Sequence, residues 1–265
     1  SIPGNKPTQN YGWSGDFNKG WQSSKHSLDE VALALQNAGT QNAVFRFAFA
    51  ATNPAVAKTL DGFAIDSVFI GNRTRTILLE NFTNKGNVAN AAQEANQSNI
   101  LKAFNPGGIG TTLVKINYHV GFPGGDPFNL DNPADPSARA LYYNVTNTPS
   151  ARLDGEKPAG PEQPFSQWGV QEYSLRTLQL GQSEISITPS TNADGSLNIM
   201  VGVTPNADLP QGTRLHVAIL EEQINLSDLS PERQDMVVTN ENSFEYVLKK
   251  MLPNAPGLDT GPLSA

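Results

Sequence analysis

The sequence predicts a mixed architecture, with an α/β segment in the middle of the chain and an all-β segment after it. Residues 76–92 run from an apolar strand through a tight loop into the start of an Ala-rich helix. Residues 112–118 form a second run of strand length that is nearly continuous in apolar residues at its start, as expected for a central strand. Beyond residue 183, Glu184–Thr188 and Leu197–Val203 alternate between apolar and polar residues, which is typical of antiparallel strands.

The overall charge excludes some classes of partner. The chain has 18 Lys and Arg against 25 Asp and Glu, a net charge of −7, whereas nucleic acids and anionic membrane surfaces are bound through clustered cations. No apolar run approaches the roughly 18 residues of a membrane-spanning helix. We therefore expect neither a nucleic-acid partner nor membrane insertion.

The composition favours a secreted protein. Only 16% of residues are charged, and the chain has 23 Gly and 19 Pro, which is typical of β-rich, loop-rich domains. The chain starts at Ser1 without a visible signal peptide, and the residues before Ala265 do not close a recognisable element. We expect it to be a piece of a longer protein.

Residues 1–74 are predicted as the first domain. Trp13 and Trp21 lie among glycines near the start and are candidates for stacking on sugars, although packing of loops and edge strands more often explains such aromatics. Ser27 is followed three residues later by Glu30, a capping-box pattern that predicts a short helix.

Two predicted strands complete this first domain. Residues 43–49 and 60–71 are rich in aromatic and β-branched residues. Together they resemble the second half of a MAM-like jelly-roll module, which implies a partial jelly-roll β-sandwich and a role in adhesion. Some such modules bind Ca²⁺ through acidic residues here, and Asp61 and Asp66 are the candidates. Because Ca²⁺ takes about six to eight oxygen ligands, turn capping by Asp61 and a solvated Asp66 are the preferred interpretation.

Residues 75–165 are predicted as the second domain, built from strand 77–82, a helix that ends near Phe104 and strand 112–118. Asp135-Pro136 predicts the start of a further helix that runs through Tyr143, with Asp135 as its N-cap. His119 follows the second strand, where α/β proteins often place their sites. A structural role is expected for His119, because no nucleophile motif accompanies it.

The short motifs of this second segment resemble those of a particular family. They are Phe82-Thr83, Asn87 to Ala91, Tyr118-His119, Ala140 to Tyr143, Thr148-Pro149 and Asp154-Gly155. This series is similar to the thioredoxin-like domain of a family of surface and outer-membrane proteins of Bacteroidetes. The resemblance implies an extracellular or outer-surface location and secretion by the type IX route.

The same resemblance locates a redox loop that has lost its chemistry. Members of the family carry Cys-x-x-Cys-Pro where this chain has Asn87, Asn90 and Ala91, and the resemblance implies a cis proline at Thr148-Pro149 beside that loop. The whole chain has no cysteine, so the thiolate that such chemistry requires cannot form. We therefore interpret these residues as a vestigial redox loop and exclude thiol redox catalysis.

Residues 166–265 are predicted as the third domain, a β-sandwich-like subdomain that we expect to be truncated. Residues 192–195, Asn-Ala-Asp-Gly, predict the turn of a hairpin, and residues 214–221 a further strand. Residues 244–253 fit a helix or a strand, and the family resemblance favours the strand.

No catalytic motif for hydrolysis, phosphate binding or zinc binding occurs in the sequence, and the three histidines fall in different segments. The acidic loop 121–136 lacks the glycine and glutamate of an EF-hand loop. We therefore expect a non-catalytic, structural or adhesive segment of a secreted cell-surface protein, without a cofactor unless Ca²⁺ binds. Its partners would be other domains of a longer chain or neighbouring subunits. The alternatives are a glycan- or peptide-binding module, with surface glycans as ligands, and a degenerate secreted enzyme.

Overall fold

The structure is a computed structural model. It describes residues 28–39, 42–45, 47, 65, 68, 70, 75–104, 112–155 and 168–265. The chain divides into two compact units, residues 1–68 and 69–265, and each is described by itself.

In the first unit the predicted short helix is present as α1, Asp29–Ala38. Leu28 precedes it without a side-chain cap, and Gly39 ends it in the left-handed conformation at φ 64°, which glycine adopts at no steric cost. Ser27 of the predicted capping box lies outside the described residues. The described residues of the two predicted jelly-roll strands, 43–45, 47, 65, 68 and 70, belong to no strand.

The second unit is a mixed α/β structure with more strand than helix. Its helices are α2 Val88–Phe104, α3 Ala134–Tyr142, α4 Val170–Arg176 and α5 Pro231–Gln234, with a 3-10 turn at Leu226–Asp228. Its strands are β1 Ile77–Thr83, β2 Leu113–His119, β3 Ser150–Leu153, β4 Ser183–Thr191, β5 Leu197–Pro205, β6 Arg214–Leu215, β7 Val217–Asn225, β8 Ser243–Leu252 and β9 Leu258–Asp259.

Five of these strands form the central sheet, in the order β3-β1-β2-β8-β7. β1 and β2 are parallel, from the pair Ile77 and Leu113 to the pair Thr83 and His119. β3 is antiparallel to β1, and the Thr148–Pro149 peptide bond before it is cis, the isomer that the resemblance implies. β8 runs parallel to β2 and antiparallel to β7.

Helices cover both faces of the central strands. On one face, Ile77, Leu79 and Leu113 pack with Phe104 of α2 and Tyr173 of α4. On the other face the cluster joins β1 and β2 to α3 and β8; its buried members are Phe82, Ile116, Tyr118, Val120, Ala140, Val145, Leu248 and Met251. β1 is accordingly buried along nearly its whole length, as expected for a central strand.

Two features differ from the sequence predictions. Asp135 is not an N-cap, because α3 begins at Ala134 and Asp135 lies in its first turn, where its buried carboxylate accepts a hydrogen bond from Met251 N at 2.9 Å. Helix α4 was not predicted.

The C-terminal strands are present, but the separate sandwich at 166–265 is not confirmed. β7 and β8 belong to the sheet of β1 and β2, whereas β4 pairs only with β5 and β6 only with β9 among the described strands. The strand interpretation of residues 244–253 is confirmed by β8. No helix in the described part of the chain is long and apolar enough to cross a membrane.

Candidate functional site: the loops that follow β1 and β2

The loops after β1 and β2 lie at the same edge of the sheet, because the two strands are parallel. This edge is where α/β proteins commonly hold their ligands. The antiparallel register of β3 pairs Phe82 with Ser150, and Thr148-Pro149 comes directly before this pair, near the end of β1. Asn87 precedes α2, and Asn90 belongs to its first turn. The structure thus brings the four residues of the predicted vestigial loop to one end of β1.

Asn84 joins the two loops. Its side-chain nitrogen donates hydrogen bonds to the carbonyl oxygens of Val120 and Gly124, both at 2.8 Å, and its side-chain oxygen accepts one from Gly86 N at 2.9 Å. A Cβ atom on Gly86 would lie 2.2 Å from the Gly125 carbonyl oxygen. The two loops are therefore in direct backbone contact, and a side chain at Gly86 would force them apart.

Lys85 belongs to the loop after β1, and its side chain is buried. Its Nζ contacts a carboxylate oxygen of Glu94 in α2 and lies 2.9 Å from Glu241 in the segment before β8. Burial alone would lower the pKa of Lys85, but the two carboxylates outweigh it and raise that pKa above its usual value. Burial likewise opposes ionisation of Glu94, yet the Lys85 ammonium holds the Glu94 pKa below its usual range. The three groups form a charged cluster in which the Lys85 and Glu94 side chains are largely buried, while the Glu241 side chain is 31% exposed.

His119 and Asp126 form a second buried pair, with His119 Nδ1 at 3.0 Å from Asp126 Oδ2. Asp126 also accepts hydrogen bonds from the backbone N–H groups of Lys85, Phe128 and Asn129. Burial opposes ionisation of Asp126, but His119 and these donors lower its pKa. The carboxylate therefore fixes the backbone of the loop after β2.

This pair has the form of a base and its orienting carboxylate, so a nucleophile beside it would indicate catalysis. Thr83 is directly opposite His119 in the β1–β2 register. Its hydroxyl, however, is fully buried and makes no hydrogen bond to His119, and His119 is only 3% exposed. Thr83 is therefore not activated by this histidine in the structure.

Lys115 of β2 lies on the same sheet face as Thr83 and His119, opposite Leu79. Burial lowers the pKa of Lys115, and the nearby Glu94 carboxylate opposes this shift. A lowered amine pKa occurs in catalytic lysines and in structural ones alike, so it does not by itself assign a role.

The opposite sheet face holds a buried carboxylate, Glu80, which is 1% exposed. Glu80 accepts hydrogen bonds from the Arg139 guanidinium and from the hydroxyls of Tyr118 at 3.0 Å and Tyr143 at 2.6 Å. Burial and this carboxylate raise the pKa of both tyrosines. The four side chains thus supply one another with hydrogen-bond partners.

His216, between β6 and β7, packs against the backbone of the C-terminal segment. A Cβ atom on Gly257 would lie 2.6 Å from its ring, and its Nδ1 is buried without a partner. Burial lowers the pKa of His216, and the positive charges of Arg139 and Arg214 act in the same direction, against Glu80.

The acidic residues of the loop 121–136 are also engaged within the chain. Asp131 lies 2.6 Å from Arg233 and 3.1 Å from Lys249, and these cations lower its pKa, with the Arg233 hydrogen bond as the largest cause. Asp126 and Asp135 bond to backbone N–H groups as described. Among the described residues no group of three or more His, Asp or Glu side chains could hold a metal ion.

The remaining predicted site residues, Trp13, Trp21, Asp61 and Asp66, lie outside the described residues, and their proposed roles in glycan and Ca²⁺ binding stay predictions. Sequence reasoning missed Lys85, Glu94 and Glu241 altogether. The only local signal was Lys85 itself, a lysine two residues after a buried strand. Its partners Glu94 and Glu241 are 9 and 156 residues away in the sequence.

Comparison with known proteins gives two structural likenesses. No family model and no curated protein matches the chain. HBP35 of Porphyromonas gingivalis is 11% identical with a TM-score of 0.48, covering 72% of this chain. A structural-genomics target protein of Agrobacterium tumefaciens is 13% identical with a TM-score of 0.41, over 73% of this chain and 76% of its own. The chain spans 60% of the length of HBP35. At these values neither likeness assigns a function.

Proposed function

We propose that this chain is a non-catalytic module of a secreted, multi-domain cell-surface protein, with a structural or adhesive role. The observation that carries the proposal is the state of the sheet edge where a catalytic site would lie. There the buried Lys85 ammonium is paired with the carboxylates of Glu94 and Glu241, and His119 with Asp126 fixes a loop. These charged side chains are engaged with one another and stabilise the fold.

The finer assignment, an inert thioredoxin-like scaffold, is part of the same proposal. It is supported by the order of strand, loop, helix and parallel strand, followed by a cis proline and an antiparallel strand. Fold alone does not determine function, and the absence of cysteine removes the redox chemistry. The extracellular location rests on the sequence resemblance and composition.

Amine labelling tests whether the edge is a closed structural cluster. The full chain is treated with an acylating reagent, and the labelling rate of each lysine is measured by mass spectrometry as urea is increased. Lys85, whose side chain is 5% exposed, is expected to react only when the protein unfolds. Lys250, with a side chain 56% exposed, is the control that reacts in the folded protein. If Lys85 were labelled in the native state as fast as Lys250, the edge would be open to ligands and the proposal would fail.

A further inference from the structure

The β4–β5 hairpin has one apolar face and one polar face. Its register pairs Ile185 with Val203, Ile187 with Val201 and Pro189 with Ile199. Paired residues share a face and successive residues alternate, so these six side chains form one continuous apolar surface. We call it the ribbon face.

Among the described residues, the ribbon face is exposed along β4 and half-buried along β5, at Ile199, Val201 and Val203. Ile185 is 60% exposed and Ile187 is 59% exposed, and Leu197 at the far end of the same face is 51% exposed. None of the three buried clusters of the described residues includes a residue of β4 or β5. At the base of the hairpin, Ile185 and Val203 face the β6–β9 pair across a cavity of about 90 Å³.

Such a surface indicates an interaction site. An isolated two-stranded hairpin is marginally stable in water, and contiguous exposed apolar patches mark interfaces or aggregation hazards. The hairpin has no third strand among the described residues. A partner that covers the ribbon face would supply the missing layer.

The charge pattern narrows the choice of partner. The only charged residues from 183 to 205 are Glu184 and Asp194, and neither belongs to the ribbon face. Surface helices and segments that bind membranes combine apolar residues with cations, and this hairpin has none. A two-fold interface brings a surface against its own copy, so it must be self-complementary, and an uncharged apolar face meets that condition without repulsion.

The size of the surface agrees with a weak dimer. Nine residues at about 3.4 Å each and two strands about 4.8 Å apart give a face of roughly 30 Å by 10 Å. This is about 300 Å² per copy and about 600 Å² for the two copies, which lies in the range of weak, transient contacts.

We propose that the ribbon face is the interface of a two-fold dimer of this chain, in which two β4–β5 hairpins pack face to face as in a β-sandwich. The dimer goes beyond the structural role proposed above and does not depend on the absence of catalysis.

Sedimentation equilibrium of the full chain over about 1 to 300 µM, a range that resolves micromolar dissociation constants, tests the dimer. The wild type is expected to move from 28.4 kDa towards twice that mass. Ile187→Glu should raise the dissociation constant at least about tenfold, since it buries a charge. Thr188→Glu is the matched control, because it places the same charge on the opposite face of the same strand, and it should leave the dissociation constant unchanged.

A second pair of variants is independent of any effect of Ile187→Glu on folding. Because the chain has no cysteine, Val201→Cys places a single thiol on the ribbon face and Met200→Cys places one on the other face. Mild oxidation should crosslink the Val201→Cys variant into dimers and leave the Met200→Cys variant mainly monomeric. A wild type that stays monomeric to the highest concentration, or equal crosslinking of both variants, would overturn the proposal.

Discussion

Removal of Arg139 should show how strongly the positive charge of its guanidinium stabilises the buried carboxylate of Glu80. Glu80 is 1% exposed, and its carboxylate is bonded by the guanidinium and by the hydroxyls of Tyr118 and Tyr143. Arg139→Met keeps much of the side-chain volume but leaves the carboxylate with two neutral donors. Breaking a buried ion pair from one side costs about 3–5 kcal/mol, a large part of the 5–15 kcal/mol that stabilises a typical domain.

The double variant Glu80→Leu with Arg139→Met should lose much less free energy of unfolding than the two single variants lose together. Glu80→Leu alone leaves a buried guanidinium, so we expect again about 3–5 kcal/mol. In the double variant no charge is left unpaired, and the remaining cost is the loss of an acceptor for the two tyrosine hydroxyls, about 1–3 kcal/mol for each one left unsatisfied. The sum of the single effects should therefore exceed the double effect by several kcal/mol.

Urea unfolding followed by tryptophan fluorescence measures these free energies. Glu184→Gln is the control at an exposed position and should change stability by less than about 0.5 kcal/mol. If either single change cost less than about 1 kcal/mol, or if the two effects were additive, then Glu80 and Arg139 would not form the coupled pair that the structure shows.

Three further predictions concern the sheet edge and the C-terminal segment. Gly86→Ala places a methyl group 2.2 Å from a carbonyl oxygen of the facing loop and should lower the free energy of unfolding by about 1–3 kcal/mol. The control Gly124→Ala has open space around it and should lower the free energy of unfolding by less than about 1 kcal/mol. Equal effects of the two variants would contradict the loop contact. The pair Asn87→Cys and Asn90→Cys should form a disulfide on oxidation, since such bonds need Cα atoms within about 7 Å, and a folded double variant that keeps two free thiols by mass spectrometry would refute the thioredoxin-like alignment. The pKa of His216 is lowered in the folded state, so stability should be full above its unfolded pKa of about 6.5 and fall as the pH drops below it; urea midpoints at several pH values should show this loss, and a His216→Gln variant with an unchanged acid loss would count against it.

Local patterns predicted much of the fold. β1, β2 and the helix between them follow from apolar runs and a loop, and the β4–β5 hairpin follows from alternation and its turn, where Gly195 has φ 83°. These elements are specified by neighbours in sequence, which is why period and turn chemistry suffice.

What the sequence did not reveal depends on distant residues. β8 pairs with β2 through Asn117 and Val247, 130 positions apart, and nothing local in either strand specifies that partner. Helix α4 is held by Tyr173, whose hydroxyl donates to Gln97 of α2 at 2.9 Å. The Lys85 cluster was missed for the same reason, because Glu241 is supplied by a segment far along the chain.

Polar residues of β2 and of the loop after it join the C-terminal strands to the α/β core. The β2–β8 ladder has a single register pair, so β8 needs other attachments to stay in the sheet. Asn117 donates to Glu245 O at 2.6 Å and Asn132 to Lys249 O at 3.1 Å, while Asp135 accepts from Met251 N. Three side chains, which contact β8 at Glu245, Lys249 and Met251, thus replace missing backbone hydrogen bonds, and the buried Asn117 and Asp135 gain partners as burial requires. Carboxylates and amides that resemble metal ligands in the sequence therefore join the C-terminal strands to the α/β core.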